Sequence, residues 1–102
     1  MRLELKISWY VKDFLDNLPK ELRAKCAKQL KLFEEYGFFL TDADLKKISK
    51  DLWELRTKNT RILMGKVKES IWAVHAFYQK TNKIPKKEIE LASKRLERLR
   101  NE

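Results

Sequence analysis

The sequence is poor in the residues that build disulfide frameworks and soft metal sites. It has one cysteine and one histidine, Cys26 and His75, which excludes an intrachain disulfide and leaves too few soft ligands for a zinc site. The longest apolar run, residues 71–78, is far shorter than the about 20 residues that span a bilayer. Residues 1–6 mix both charges, unlike a signal peptide. We therefore expect a soluble protein of the reducing cytoplasm.

Glycine and proline are also scarce, with two of each. The chain has no Gly- or Ser-rich linker, no internal repeat and no low-complexity segment, so nothing in its composition divides it into separate units. A hydrophobic content of 43% is enough to fill a core, and a length of about 100 residues is typical of one domain. We expect residues 1–102 to form a single domain.

Positive charge is abundant and clustered. The net charge is +9, and between residues 46 and 68 eight basic side chains accompany only Asp51 and Glu54. Residues 80–87 carry four lysines and no acid. A basic field of this kind attracts polyanions, of which nucleic acid is the commonest in a cell. The alternative is a well-solvated surface without a partner, and composition alone does not decide between the two.

The apolar periodicity predicts an α+β fold. Three segments have apolar residues at helical spacing, namely residues 9–15, 19–36 and 85–99. Four segments have the patterns of strands, namely residues 3–7, 52–56, 61–64 and 71–78. Residues 38–51 have neither pattern and are expected to form a connection. The expected order is a weak strand, two helices, three antiparallel strands and a final helix.

The segment between the second and third predicted strands brings two arginines together. If Lys58 and Asn59 form a two-residue turn, with Asn59 tolerating a positive φ, Arg56 stands directly opposite Arg61 and Glu54 lies two residues along the same face. Like charges opposite each other across a strand pair are destabilising unless they are neutralised. Glu54 can offset one guanidinium, and a bound phosphate could offset the other. The alternative is a pair of solvent-facing arginines on a polar sheet face.

Few other residues are candidates for chemistry. His75 lies in an apolar strand, where a hydrogen-bonded structural histidine is more frequent than a general base. Cys26 lies on the apolar stripe of a predicted helix and is expected to be a small buried hydrophobe. No nucleotide-binding loop, paired-carboxylate motif or metal-ligand cluster is present. If the protein is an enzyme, its catalytic groups are cations and one carboxylate.

Several segments resemble, in order, the RelE/HigB superfamily of bacterial toxin–antitoxin toxins, in its phage-derived HigB-like branch. They are residues 14–19 (FLDNLP), 52–56 (LWELR), 61–63 (RIL), 75–81 (HAFYQKT) and 85–92 (PKKEIELA). The resemblance implies a RelE-like fold, with N-terminal helices packed on a small antiparallel sheet and a C-terminal helix. Known members are mostly ribosome-dependent mRNA endonucleases that work without a metal ion or other cofactor.

The resemblance also implies roles for individual residues. Arg56 and Arg61 match the strand arginines that stabilise charge at the scissile phosphate. Lys80 matches the basic residue after the last strand and Glu54 the acidic position before the first arginine, and one of them would act as general acid or base. Basic and aromatic residues nearby are expected to bind RNA, namely Lys46, Lys47, Lys58, Tyr78 and Lys83.

A toxin of this kind needs a partner that restrains it. The resemblance implies a cognate antitoxin, of the HigA-like type with a helix-turn-helix domain, in addition to the ribosome and mRNA. Two other functions stay open at this point. One is a ParE-like inhibitor of a topoisomerase such as gyrase, which shares the fold. The other is a basic RNA-binding module without catalytic activity.

Overall fold

The computed structural model describes residues 4–80 and 83–102. Leu3 begins the first predicted strand, and Thr81 ends the segment 75–81 that resembles the RelE/HigB toxins. Both lie outside the described residues. A 3-10 turn, Gly37–Phe39, follows the second helix. The helices and strands, in chain order, are β1 (Leu5–Ile7), α1 (Trp9–Asp16), α2 (Lys20–Tyr36), β2 (Leu45–Ser49), β3 (Leu52–Thr57), β4 (Thr60–Val67), β5 (Ser70–Tyr78) and α3 (Lys86–Arg100).

The strands form one five-stranded sheet in the order β1-β5-β4-β3-β2. β1 runs parallel to β5, and the other neighbouring strands are antiparallel. Each face of the sheet carries an apolar core, because residues of β3, β4 and β5 alternate between the two faces. On one face Val11 of α1 and Phe33 of α2 belong to the same core as Leu55. On the other, Leu96 of α3 joins Leu63. The predicted α+β fold is confirmed.

The prediction for residues 38–51 is wrong, because this segment contains the strand β2. Leu45 is the only buried residue of β2, and the register shifts between Lys47 and Ser49. A strand at the sheet edge with exposed lysines and an irregular register has no regular alternation to detect. Lysines at such an edge also discourage pairing with another chain.

The predicted register of the β3–β4 hairpin is confirmed. Arg56 pairs with Arg61, with Thr57 opposite Thr60 on one side of them and Glu54 opposite Leu63 on the other. The positive φ, however, falls on Lys58 (47°) and not on Asn59. The Thr60 hydroxyl donates a hydrogen bond to the carbonyl of Thr57 (2.7 Å) and closes the turn. The sulfur of the buried Cys26 lies 3.4 Å from the same hydroxyl.

Gly65 of β4 sets how closely α3 approaches the sheet. A Cβ placed on Gly65 would lie 2.5 Å from a side-chain methyl of Leu96 and 2.6 Å from the backbone oxygen of Asp51. Because the backbone oxygen cannot move aside, we expect Gly65→Ala to lower the free energy of unfolding by about 1–3 kcal/mol. Urea unfolding measures this difference.

Lys66→Ala provides the matched control for this substitution. Lys66 is the next residue of β4 and is exposed, so its truncation should change the free energy of unfolding by less than about 0.5 kcal/mol. Equal stability of the Gly65→Ala variant and the control would contradict the close packing of α3 on β4.

Candidate functional site

Two opposed arginines share one buried carboxylate at the hairpin end of the sheet. Oε1 of Glu54 lies 3.4 Å from Nε of Arg56, and Oε2 lies 3.8 Å from Nε of Arg61. Glu54 is 2% exposed and Arg61 is 8% exposed. With both arginines charged and Glu54 ionised, the three groups carry a net charge of one positive unit. The predicted solvent-facing alternative is therefore wrong for Arg61.

Burial perturbs both members of the Glu54–Arg61 pair. It raises the pKa of Glu54, although Arg61, Arg56 and Lys46 each act to lower it. Burial likewise lowers the pKa of Arg61 from its ordinary value. Within residues 4–80 and 83–102, Oε2 of Glu54 and Nε of Arg61 are buried without a hydrogen bond. Most buried polar atoms in proteins are paired, so this pair is incompletely satisfied.

Hydrogen bonds to backbone carbonyls hold both guanidinium groups and also the backbone of Arg56. Nη1 of Arg61 donates hydrogen bonds to the carbonyls of Lys58 (2.6 Å) and Thr60 (2.8 Å), which folds the side chain toward the turn. Nη1 of Arg56 donates to the carbonyl of Asp42 (3.3 Å). Gln29 of α2 donates through Nε2 to the carbonyl of Arg56 (2.9 Å). Arg56 is therefore held from two sides, by α2 and by the segment before β2.

A cleft of about 550 Å³ opens beside the two arginines, between α2 and the hairpin. Five of its lining residues are basic and one, Asp44, is acidic. Asp44 already accepts a hydrogen bond from Nε2 of Gln29 (2.8 Å). The cleft therefore presents an excess of positive charge on concave walls, which concentrates the field that attracts an anion. Its basic lining residues are Lys25, Lys28, Arg56, Lys58 and Arg61.

Sequence reasoning missed Lys25 and Lys28. The two lysines are three residues apart on α2 and so lie on one face of the helix. That spacing is visible in the sequence. What it does not reveal is that this face lies against the β3–β4 hairpin, since long-range docking of a helix leaves no local signal.

The structure brings two of the predicted RNA-binding lysines to the arginine pair and places another elsewhere. Lys46 of β2 lies opposite Glu54, and Lys58 lines the cleft. Lys47 is opposite Trp53, with its ammonium 5.6 Å from the indole ring. Because adjacent strand residues point to opposite faces, Lys47 lies on the face away from Glu54.

The remaining predicted residues lie at or beyond the end of β5. Tyr78 packs its ring against Phe14 of α1, at a centroid distance of 5.4 Å, on the face opposite the arginines. Lys80 is exposed and follows β5 near the hairpin turn, because the N–H of Gln79 donates to the carbonyl of Asn59 (2.7 Å). Lys83 is exposed between β5 and α3. Neither Lys80 nor Lys83 lines the arginine cleft.

His75 takes part in a different network. Its Nδ1 lies 3.0 Å from Nη1 of Arg95 and its Nε2 3.1 Å from Oε1 of Glu88. Because arginine can only donate, Nδ1 accepts and Nε2 carries the proton shared with Glu88. Burial lowers the pKa of His75, which is 9% exposed, and this favours the neutral form. The contacts join β5 to α3 and favour a structural role over a catalytic one.

Within residues 4–80 and 83–102, no helix has both the length and the apolar character needed to cross a membrane. The same residues contain no group of three or more His, Cys, Asp or Glu side chains that could hold a metal ion.

Solved structures of RelE proteins share this fold. A chain of the archaeal RelE–RelB complex from Pyrococcus horikoshii OT3 is 19% identical, with a TM-score of 0.65 over 78% of this chain and 98% of that one. A mutant of the E. coli toxin RelE in the free state is 13% identical, with a TM-score of 0.64 over 96% and 98%. A chain of the RelB–RelE antitoxin–toxin complex from Methanococcus jannaschii is 21% identical, with a TM-score of 0.56 over 78% and 99%. The expected RelE-like fold is confirmed.

The family of the chain follows from its sequence. The profile of the family described as Phage derived protein Gp49-like matches residues 13–97, and the chain belongs to that family. No curated protein sequence matches the chain. The matched range contains the whole hairpin and the cleft beside it.

The raised pKa of Glu54 should make the free energy of unfolding depend on pH. Because the folded state binds the Glu54 proton more tightly than the unfolded state, the contribution of this residue falls as pH rises from the ordinary pKa through the raised one. Glu54→Gln cannot ionise. We therefore expect the free energy of unfolding of the wild type, minus that of Glu54→Gln, to decrease as the pH rises above about 4.

Urea unfolding at several pH values tests this expectation, with Glu35→Gln on the exposed side of α2 as the control. A difference that instead grows with pH would mean that the arginines outweigh burial and lower the pKa of Glu54.

Proposed function

We propose that the protein is the toxin of a type II toxin–antitoxin system and acts as a ribosome-dependent, metal-independent mRNA endonuclease. The observation that carries the proposal is the opposition of Arg56 and Arg61 over one buried carboxylate, at the wall of a basic cleft. The Gp49-like family and the RelE fold support it.

The reaction proposed is attack by a ribose 2′-hydroxyl on the adjacent phosphorus. The bond from the 2′-oxygen to phosphorus forms while the bond from phosphorus to the 5′-oxygen breaks, and the 5′-oxygen leaves with a proton. Negative charge develops on the phosphate oxygens, where Arg56 and Arg61 would stabilise it. Fixed guanidinium groups suit this role, because they need no reorganisation during the reaction.

Two proton transfers accompany this displacement. Glu54 is one candidate for them, since it lies within ion-pair distance of both arginines and burial raises its pKa above the ordinary value. Lys80 is the other candidate, as an exposed residue beyond β5 at the same end of the sheet. The role of each is part of the proposal.

Binding to the ribosome would rest on the net charge of +9. Lys46 and Lys58, which lie near the arginines, are the first candidates to contact RNA phosphates, with Lys47, Tyr78 and Lys83 at greater separation. Contacts of this kind release counterions, so the affinity should fall steeply as salt concentration rises.

A cognate antitoxin is the second proposed partner. Two of the structures that share the fold are described as RelE–RelB or RelB–RelE complexes. We expect a neighbouring open reading frame to encode the antitoxin, of the HigA-like type with a helix-turn-helix domain. Co-expression of the two reading frames should yield a stable complex, and recovery of the toxin alone would count against this partner.

The role of the arginine pair predicts the effect of Arg61→Ala. Loss of one group that stabilises transition-state charge typically costs about 10²–10³ in rate. Primer extension on an mRNA bound to translating ribosomes should therefore show a loss of cleavage of this size. Arg98→Ala removes an exposed arginine of α3 and should cleave like the wild type.

Arg56→Ala is a second test of the pair in case Arg61→Ala fails to fold. Arg56 is less buried than Arg61, so its truncation should disturb folding less. This variant should lose cleavage as well, and retained cleavage in both folded variants would refute the assignment. If the wild type cuts no mRNA but blocks DNA supercoiling by gyrase, the protein is a ParE-like inhibitor. If the wild type binds RNA without cleaving it, the protein is an RNA-binding module.

A further inference from the structure

Lys25 of α2 and Lys58 of the hairpin turn approach each other across the edge of the arginine cleft. Both side chains are exposed, and the proximity of Lys58 lowers the pKa of Lys25 more than any other influence on it. Two like charges that meet in this way repel each other. Nearby Glu21 only partly opposes the effect, so an anion between the two ammonium groups would relieve the repulsion.

A second cavity, of about 460 Å³, lies on the other side of this lysine pair. Of the residues that the structure describes, Lys25 and Lys58 alone line both this cavity and the arginine cleft. The two cavities therefore adjoin at the lysine pair and together form a groove along the hairpin turn and α2. The other residues of the second cavity are Pro19, Glu21, Leu22 and Asn59.

A side-chain-to-backbone hydrogen bond links the hairpin turn at Lys58 to Arg61. Lys58 has a backbone φ of 47°, in the left-handed region that L-residues rarely adopt. Its carbonyl accepts a hydrogen bond from Nη1 of Arg61 (2.6 Å). The backbone of Lys58 is therefore held against the guanidinium of Arg61, and the Lys58 side chain leaves the turn beside the arginine pair.

We propose that Lys25 and Lys58 form a phosphate subsite, separate from Arg56 and Arg61, which binds the backbone of a single-stranded nucleic acid as it passes from the arginine cleft into the second cavity. The inference rests on the proposed function and adds a path for the strand. Cations placed in series along a groove match a chain of regularly spaced phosphates better than one small anion, which needs only one of the two positions.

Binding of a labelled strand of about eight nucleotides, with every 2′-hydroxyl methylated to block cleavage, tests the subsite. Fluorescence anisotropy of the full-length protein gives the affinity over a range of salt concentrations. Removal of one phosphate contact should weaken binding about fivefold near 0.1 M salt and reduce the salt slope by about 0.7. We expect this for Lys25→Ala, and recovery of both values in Lys25→Arg, which restores the charge.

Lys31→Ala is the matched control. Lys31 is an exposed lysine of the same helix, but it lies near Leu5 and Ile7 of β1, away from the groove. It should keep the wild-type affinity and salt slope. A dinucleotide has a single internucleotide phosphate, which cannot occupy the arginines and the lysine pair at the same time. Bound at the arginines, it should bind equally well to the wild type and to Lys25→Ala.

Three results would overturn the subsite. Equal behaviour of Lys25→Ala and Lys31→Ala, in a protein that cleaves mRNA, refutes the subsite and leaves the proposed function intact. If Lys25→Ala weakens binding of inorganic tripolyphosphate but not of the strand, the pair binds a free polyphosphate instead. A wild type that neither binds the strand nor cleaves mRNA refutes the proposed function together with the subsite.

Discussion

The interaction on which the site depends is the sharing of one carboxylate by two opposed arginines. Arg56 and Arg61 face each other across β3 and β4, and among residues 4–80 and 83–102 only Glu54 lies within ion-pair distance of both. Opposed like charges are unfavourable across a strand pair, and burial of Glu54 weakens its capacity to compensate, because it raises the pKa of that carboxyl. With Glu54 ionised, the three groups retain one uncompensated positive charge at the wall of the cleft, which a bound phosphate would neutralise.

The fold maintains this arrangement by fixing each arginine from a different side. A two-residue turn with Lys58 in the left-handed region sets the register, and the carbonyl of Lys58 accepts a hydrogen bond from Arg61. Gln29 of α2 connects the carbonyl of Arg56 to the carboxylate of Asp44. The second helix therefore supports the arginine pair and also lines the cleft beside it. The histidine network of β5 and α3 is a separate element that joins the last helix to the sheet.

Sequence alone predicted the part of the site that depends on local pairing. The opposition of Arg56 and Arg61 followed from a two-residue turn and strand alternation, both of which are local properties. The same alternation places Tyr78 opposite Thr60, on the face away from the arginines, so its role in RNA binding stays a prediction. The strand β2 and the contribution of Lys25 could not be predicted, because one is an irregular edge strand and the other depends on how α2 docks against the hairpin.

The most direct test of this account is the stability of the protein in inorganic phosphate at constant ionic strength. A ligand that binds only the folded state raises the free energy of unfolding in proportion to RT ln(1 + [L]/Kd). If the arginine pair binds phosphate, thermal unfolding of the wild type should shift upward as phosphate replaces chloride, and the shift should disappear in Arg61→Ala. An equal shift in both proteins would contradict the claim that the opposed arginines form the anion site.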